Sequence, residues 1–391
     1  MSQQFVGASR SREVVFLFIG GAHQVFHLAP VAAELARLKP EWRVVCLTAD
    51  AATAEVLERV RTRMAAPDLI VETARVPLWA RGLGRLRGRA APPKLAFLVS
   101  LHRRLARCDA IVAAERTSAW LRKLGHSKTL MIHFRHGAGD RAPASEARLR
   151  AFDLVVVPGE KDVRRAVAQG FPAERLRVCG YVKLDYCGTE GASGVRFAND
   201  RPGGRLANDR PIVLYNPHFD PALSSLGIAE AVVAKFAAQN RYNLIVAPHI
   251  RASGKMSEAE RARWRAMAVP GTIVVDLDSP ALVDMSYTRA ADVYLGDVSS
   301  QVYEFWVRPR PAAFLNAHRV AWQGDLRYAG WALGEVADDL DQVLPAIDRA
   351  IAEHATVRDA QRDAVVHAFG QIAGAARRGA AIVAEAVAER A

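Results

Sequence analysis

Long apolar runs are absent from this sequence of 391 residues. No segment approaches the 18 or more uninterrupted apolar residues of a membrane-spanning helix, and the longest early run, VVFLFIG at 14–20, has the length of a strand. The N-terminus also lacks a basic region followed by an apolar stretch and a cleavage site. These absences predict a cytoplasmic protein without a secretion signal or a membrane span.

Cysteine is scarce, and its spacing fits neither a disulfide framework nor a zinc site. The sequence contains four cysteines far from one another: Cys46, Cys108, Cys179 and Cys187. Such spacing is typical of reduced thiols in a cytoplasmic protein. One Asp-x-Asp is present, but Asp276 and Asp278 follow an apolar run and precede Ser279-Pro280, which indicates a turn at the start of a helix. We therefore expect no metal and no cofactor.

Acidic residues are missing from the stretch Leu78 to Cys108. The chain has a formal net charge of +12, and this stretch interleaves its basic residues with large apolar ones such as Trp79. That combination suits the headgroup layer of an anionic membrane, with a solvated basic surface and nucleic acid as the alternatives. No nucleic-acid motif accompanies it. We expect peripheral contact with the inner face of the cell membrane, no nucleic-acid partner, and these lipid-facing cations: Arg81, Arg85, Arg87, Arg89 and Lys94.

Short apolar runs alternate with helical patterns along the chain. Runs in the first half include VVFLFIG, RVVCLTA, TLMIHF and DLVVVPG, and runs in the second half include PIVLYNP, YNLIVAPH, DVYLGD and PAAFLN. This alternation indicates parallel sheets covered by helices on both faces. Because the chain exceeds the usual size of one core, two domains are expected. The predicted fold class is α/β, with two doubly wound Rossmann-like domains facing each other across a cleft.

The boundary between the two halves is predicted from composition. The alternation stops between residues 188 and 211, where the near-duplicates RFANDRP and RLANDRP are rich in Gly, Asn, Asp and Pro. We predict an N-terminal domain over 1–187, a linker or exposed loop over 188–211, and a C-terminal domain over 212–340. The alanine-rich, periodic remainder, 341–391, is predicted to form C-terminal helices.

Polar residues follow the predicted strands of both halves. Ligands of doubly wound sheets bind at the carboxyl ends of the strands, so these residues are candidates for a site. Four histidines occupy such positions: His23, His136, His218 and His249. Asn216 and Arg251 lie beside two of them, and Lys183 belongs to the predicted strand RVCGYVKLD. Repeated imidazoles at equivalent positions favour a catalytic or binding role.

The stretch DVYLGDVSSQVYEF, residues 292–305, joins a predicted strand to a helix through Asp297, Ser299 and Ser300. Unpaired N–H groups and the positive end of the helix dipole would make this turn a phosphate site. The alternative is that a serine merely caps the helix.

Six segments in order carry a family resemblance: HGAGDR, VPGEKD, CGYVKLD, VLYNPHFD, VAPHIR and AADVYLGDVSSQVYEFWVRPRPAAFLN. Over about residues 130 to 320, they resemble the CDP-glycerol glycerophosphotransferases that build teichoic acids. The resemblance implies a glycosyltransferase B-type fold, a CDP- or UDP-linked donor, and a membrane-associated or lipid-linked acceptor. The N-terminal domain would lie on the acceptor side, and the C-terminal domain would bind the donor.

The resemblance also assigns roles. His136 matches the family's His-Gly histidine, proposed as the base that takes a proton from the acceptor hydroxyl, and His249 matches its second histidine. We add His23 to these as a catalytic candidate. Residues expected around the donor are Asp297, Ser299, Ser300, His218, Asn216, Arg251 and Lys183.

Three other functions stay open at this point. After His-Gly, the family usually continues Thr-Pro-Leu-Lys, whereas this chain has Ala138-Gly139-Asp140-Arg141. A UDP-sugar glycosyltransferase would share the fold and the diphosphate site. A nucleotide-sugar 2-epimerase would need carboxylates near the sugar, for which Asp140, Asp185 and Asp220 are the candidates. A nucleotide-binding module without catalysis is the third alternative.

Overall fold

The chain folds into two compact units. The computed structural model describes residues 11–21, 24–86, 93–137, 139–140, 147–188, 206 and 208–390. Unit 1 comprises 1–136, 145–186 and 369–391, and unit 2 comprises 137–144 and 187–368. Of the predicted linker 188–211, residues 189–205 and 207 lie outside the described residues.

Unit 1 is built on a parallel sheet of seven strands in the order β3-β2-β1-β4-β5-β6-β7. Its strands are β1 (Glu13–Phe18), β2 (Arg43–Thr48), β3 (Ile70–Thr73), β4 (Ala110–Ala113), β5 (Leu130–Phe134), β6 (Leu154–Val157) and β7 (Leu176–Val178). Its helices are α1 (Val25–Leu38), α2 (Ala51–Arg63), α3 (Leu78–Arg85), α4 (Lys94–Leu105), α5 (Trp120–Lys123), α6 (Glu160–Ala168) and α7 (Val182–Cys187), which ends at the boundary with unit 2.

Alternate residues of the β1 strand enter two separate cores, one on each face of the sheet. Val14 and Phe16 pack in the same core as residues of α1, while Val15 and Leu17 pack with residues of α4. Burial on both faces explains why the strands of this unit are continuous apolar runs.

Unit 2 has a six-stranded parallel sheet in the order β10-β9-β8-β11-β12-β13. Its strands are β8 (Ile212–Asn216), β9 (Asn243–Val246), β10 (Ile273–Val275), β11 (Val293–Gly296), β12 (Ala312–Leu315) and β13 (Glu335–Ala337). Its helices are α8 (Ala229–Ala237), α9 (Ile250–Ser253), α10 (Glu258–Arg265), α11 (Ser286–Ala290), α12 (Gln301–Phe305), α13 (Val343–Ala352) and α14 (His354–Phe369). The prediction of two doubly wound, Rossmann-like sheets is confirmed.

The last helix, α15 (Ala375–Ala388), returns to unit 1 and packs on α1. The packing is close, because a Cβ at Gly379 would lie 3.1 Å from both Val31 and Phe134. The region predicted as C-terminal helices therefore contains α13 and α14 of unit 2 and a helix that belongs to unit 1. No helix among the described residues is long and apolar enough to span a membrane.

Two predicted elements are wrong in detail. RVCGYVKLD was expected to be one strand, but the strand ends at Val178, Gly180 adopts a φ of +93°, and Lys183 lies in the helix α7. The helix expected to begin after the turn at Ser279-Pro280 is interrupted before Met285, whose φ is +68°, so that only α11 is α-helical. In both places a residue in the left-handed region ends the regular backbone geometry.

The Asp-x-Asp follows β10 and forms the expected turn. Asp276 accepts hydrogen bonds from the backbone N–H groups of Asp278 and Ser279 and from the Tyr287 hydroxyl. Asp278 pairs with Arg261 and Arg265. The two carboxylates therefore have separate structural partners, as a turn before a helix requires.

Arg310 ties the helices of unit 2 that flank β11. Its guanidinium stacks 3.8 Å from the centre of the Phe305 ring and donates hydrogen bonds to the carbonyls of Thr288 (2.8 Å), Phe305 (2.6 Å) and Ala291. These carbonyls lie at the ends of α11 and α12, where helical partners are lacking. Burial lowers the pKa of Arg310 to about 9, still above neutrality.

Arg310→Met should therefore destabilise unit 2. Hydrogen bonds to a charged group contribute about 1.5 to 3 kcal/mol each, so we expect a loss of at least about 3 kcal/mol in the free energy of unfolding. Urea denaturation measures it, with Arg263→Met as the control, because Arg263 forms an exposed ion pair with Glu230 that should contribute about 1 kcal/mol or less. Equal stability of the two variants would contradict the assignment.

Candidate functional site

In unit 1, strand order reverses between β1 and β4, and polar side chains gather at the carboxyl ends of these strands and of β5. Gln24 Nε2 donates to Glu115 Oε1 at 2.7 Å and lies 3.5 Å from His136 Nε2. Lys94 Nζ, at the first residue of α4, lies 2.7 Å from Glu115 Oε1. A crevice at such a switch point is where doubly wound sheets bind ligands.

The Gly20-Gly21 turn makes room for this arrangement. A Cβ at Gly20 would lie 2.0 Å from Gln24 Oε1, so that any other residue would displace the glutamine. Gly21 has a φ of +99°, which favours glycine, and its carbonyl accepts the backbone N–H of Gln24 at 3.1 Å. These two glycines, which follow β1, thus serve to place Gln24.

His136 is held in its neutral form. Burial lowers the pKa of His136 below its usual range, while the charge of Glu115 and a hydrogen bond with the Ala114 backbone act in the opposite direction. The Gln24 amide nitrogen lies 3.5 Å from Nε2 of the ring. A neutral imidazole can accept a proton near pH 7.

In unit 2, strand order reverses between β8 and β11, and the carboxylate of Asp297 joins the loops that follow them. Its Oδ2 accepts the N–H groups of His218 at 2.8 Å and Ser225 at 2.9 Å, so that this oxygen fixes the backbone of the loop after β8. Its Oδ1 has no hydrogen-bond partner among the described residues. Burial raises the pKa of Asp297 to about 6, against the effect of the two N–H groups.

His218 and His249 share one hydrogen-bonding pattern. Nδ1 of His218 accepts the N–H of Asp220 at 3.1 Å, and Nδ1 of His249 accepts the N–H of Arg251 at 3.1 Å. A nitrogen that accepts cannot carry a proton, so both neutral rings have their N–H at Nε2. The centre of the Phe219 ring lies 4.3 Å from the centre of the His218 ring and 4.8 Å from the centre of the His249 ring. The Arg251 guanidinium lies 4.0 Å from the centre of the Phe219 ring. These groups form a cluster of hydrogen-bond donors.

Ser299 and Ser300 differ in what they do. Ser299 Oγ accepts the N–H of Gln301 at 3.2 Å and so caps α12, whereas Ser300 makes no capping bond with its side chain. Glycines pack against Ser300: a Cβ at Gly137 would lie 3.4 Å from its Oγ, and one at Gly139 would lie 3.2 Å from its backbone nitrogen. The helix has only five residues, which leaves little dipole to bind an anion.

Asp140 fastens this glycine segment to other parts of unit 2. Its carboxylate accepts the Tyr303 hydroxyl at 2.5 Å and the N–H of Gly330 at 2.8 Å. A Cβ at Gly330 would lie 3.1 Å from the same carboxylate. Asp140 thus has partners on two neighbouring elements, α12 and the segment before β13.

Several other predicted site residues have defined positions. Asn216 is buried, and its amide donates to the Ala247 carbonyl at 2.6 Å and accepts the Tyr294 hydroxyl at 3.4 Å. Lys183 is buried in α7 of unit 1. Of the lipid-facing cations, Arg81 is exposed in α3, Arg85 is the last residue of that helix, and Lys94 pairs with Glu115. Three predicted residues lie outside the described residues: His23, Arg87 and Arg89.

Solved structures with the same fold cover almost the whole chain. The wall teichoic acid polymerase TagF aligns over 97% of this chain and 90% of its own, with a TM-score of 0.61 and 13% identity. A putative UDP-N-acetylglucosamine 2-epimerase from Listeria monocytogenes aligns over 97% of both chains, with a TM-score of 0.62 and 14% identity. Anabaena Alr3699/HepE, in complex with UDP and glucose, aligns over 97% of this chain and 100% of its own, with a TM-score of 0.55 and 14% identity.

The fold is of the glycosyltransferase B type. No protein-family model matches the sequence, and no curated protein matches it by sequence. At 11–15% identity, the structural likeness concerns the fold alone. What the protein does must therefore be argued from the two clusters of side chains.

The buried carboxylate of Asp297 should make unfolding depend on pH. Its pKa is raised from 3.8 to about 6 in the folded protein, so the folded state holds an extra proton between pH 4 and 6. On that account, stability increases as the pH falls from 6 to 4, by at most about 3 kcal/mol. Urea unfolding at several pH values should show this difference between the wild type and Asp297→Asn, whose amide does not titrate. A difference that stays constant over that range would contradict it.

Proposed function

We propose that the protein is a transferase that moves a phosphoglycerol-like or glycosyl group from a nucleoside-diphosphate donor such as CDP-glycerol to a membrane-associated acceptor in cell-envelope polymer or glycolipid synthesis. The pair of histidines in unit 2 carries the proposal. His218 and His249 each present an Nε2–H, and Arg251 adds a cation beside them. Preorganised donors of this kind are what a diphosphate and its transfer require.

His136 is the proposed proton acceptor. For a CDP-glycerol-type donor, the acceptor hydroxyl gives its proton to His136 and its oxygen bonds to the glycerol-bearing phosphorus. The bond from that phosphorus to the bridging oxygen breaks, and CMP leaves with the electron pair. For a glycosyl donor, the oxygen bonds to the anomeric carbon and the nucleoside diphosphate leaves. The neutral state of His136 supports this role in either case.

A nucleotide-sugar 2-epimerase is the second candidate, and one observation favours it. Two of the carboxylates predicted for an epimerase have structural partners instead. Asp140 accepts hydrogen bonds from Tyr303 and Gly330, and Asp185 accepts the N–H groups of Gly374 and Ala376 at the start of α15. Glu115, however, is a carboxylate beside His136 that sequence reasoning missed. An epimerase would convert the sugar of a UDP-sugar without releasing UDP, whereas a transferase would release CMP or UDP.

The donor site is tested with His249→Asn and His218→Asn. Asparagine can accept the same backbone N–H that Nδ1 accepts, but it lacks the Nε2–H. Loss of one hydrogen bond to a charged group, about 1.5 to 3 kcal/mol, should weaken donor binding about 10- to 150-fold without unfolding the protein. Calorimetric titration with CDP-glycerol, UDP-N-acetylglucosamine, CDP and UDP measures it, with His367→Asn as the control. A wild type that binds none of these ligands would overturn the proposed function.

Membrane contact is proposed for the surface of α3. Leu78, Trp79, Leu83 and Leu86 are 83%, 51%, 42% and 85% exposed, in a stretch that has basic residues and no acid. Exposed apolar side chains among cations favour shallow insertion into an anionic headgroup layer. This surface would bring the enzyme to an acceptor held in the membrane.

Vesicle flotation tests the membrane contact. We expect binding to phosphatidylglycerol vesicles but not to neutral phosphatidylcholine vesicles, and weaker binding as salt screens the attraction. Charge reversal at Arg81, Arg85, Arg87 and Arg89 should release the protein, and Leu83→Asp should weaken binding, whereas Leu326→Asp, at an exposed leucine of unit 2, should not. Equal binding to neutral and anionic vesicles would exclude the electrostatic account.

A further inference from the structure

A continuous string of polar side chains joins the first residue of α4 to His136 within unit 1. Lys94 lies 2.7 Å from Glu115, and Glu115 accepts the Gln24 amide at 2.7 Å. The same amide nitrogen lies 3.5 Å from His136 Nε2. The string crosses the carboxyl ends of β1, β4 and β5, at the switch point of the sheet.

Gln24 is held in this string at a cost to its own hydrogen bonding. The residue is 1% exposed, and its Oε1 has no hydrogen-bond partner among the described residues. A buried amide oxygen without a partner is unfavourable, so such a group is more often retained for function than for stability. The orientation of the amide is set by Glu115, because a carboxylate accepts from the NH₂ and repels the carbonyl oxygen.

We infer that Glu115, acting through Gln24, is a positioning residue for His136, and that Lys94 limits how much of the Glu115 charge reaches the imidazole. The inference rests on the proposed function, in which His136 takes the proton of the acceptor hydroxyl. Glu115 then has two effects. It holds the Gln24 amide beside the imidazole, and its negative charge stabilises the imidazolium that forms when the proton arrives.

Other charged groups also face His136. Arg116, which follows β4, and Arg135, which follows β5, disfavour its protonation, and His133 lies on β5 itself. The ring of His27, on α1, is centred 5.9 Å from that of His136. Among these groups, Glu115 supplies the negative charge, and its Oε1 contacts both Lys94 Nζ and Gln24 Nε2.

Removing the two charges should therefore have opposite effects. Glu115→Gln keeps an oxygen that accepts the Gln24 amide but removes the charge, so the pKa of His136 should fall. Lys94→Met leaves Glu115 without its cation, so the pKa of His136 should rise. Activity needs the neutral imidazole and is lost as the pH falls through this pKa. The acid limb of kcat/KM should move to lower pH in Glu115→Gln and to higher pH in Lys94→Met.

The experiment measures this pKa in two ways. Histidine ring signals are titrated by NMR in the full-length protein without substrate, and the His136 signal is identified by its absence from His136→Asn. The acid limb of kcat/KM is measured in parallel from nucleotide release. Glu115→Ala, which also removes the acceptor for Gln24, should lower kcat about 10- to 100-fold with little change in KM, the scale expected when a reacting group is misplaced.

Matched controls separate this coupling from a general change of charge. Glu72→Gln removes a carboxylate that pairs with Arg104 in unit 1, and Lys39→Met removes a cation that faces Trp42 at the end of α1 away from Gln24. Neither should move the His136 titration. Shifts in the same direction for Glu115→Gln and Lys94→Met, or shifts no larger than those of the controls, would overturn the inference.

The kinetic arm distinguishes this inference from the proposed function. A wild type that turns over a donor, with a kcat that is insensitive to Glu115→Ala, would overturn the role of Glu115 alone. A wild type that turns over no nucleotide donor would overturn the proposed function and, with it, the role of Glu115 in the reaction.

Discussion

The reversal of strand order within each parallel sheet is the constraint on which both side-chain clusters depend. Between β1 and β4, and between β8 and β11, the connections leave in opposite directions, so that the loops at the carboxyl ends diverge. Backbone groups at these ends no longer pair with the next strand and must find side-chain partners. In unit 2, Asp297 is such a partner for the N–H groups of His218 and Ser225, whereas in unit 1 the side chains of Gln24 and Glu115 bind each other.

Asp297 is an ionisable group in an unfavourable position. Its carboxylate is fully buried, and burial raises its pKa. It nevertheless accepts two N–H groups from the loop that follows β8. Those two bonds fix the loop that carries His218, whose Nδ1 in turn accepts the Asp220 N–H. The two hydrogen bonds offset part of the free energy lost in burying Asp297, and they hold the loop in place beside the imidazole.

Much of this architecture can be predicted from the sequence, because strands buried on both faces are short β-branched runs with little ambiguity. The histidines that follow them are predictable for the same reason, since a strand end locates its next residues in the fold. The positions of His136, His218 and His249 after strands were predicted in this way, and their roles stay predictions.

Other features could not be predicted, and each has a physical reason. Glu115 follows an apolar run, where a glutamate is equally typical of an exposed loop. Its partner Gln24 is 91 residues away in the sequence. No local pattern reports such a pair, although the position of Glu115 after a central strand was a usable signal. The break before Lys183 had a cue in Gly180, which in the middle of a supposed strand marks a change of backbone direction. Met285 gave no cue, since methionine rarely adopts a positive φ.

His218 and His249 share a tautomer because the same kind of group occupies Nδ1 in both. A backbone N–H donates to that nitrogen, so the proton is placed on Nε2 and each ring can only donate there. His136 has different surroundings: burial lowers its pKa, while the charge of Glu115 raises it. The proposed roles call for such a difference, because binding a diphosphate needs rings that donate, whereas taking a proton from a hydroxyl needs a ring that is neutral near pH 7.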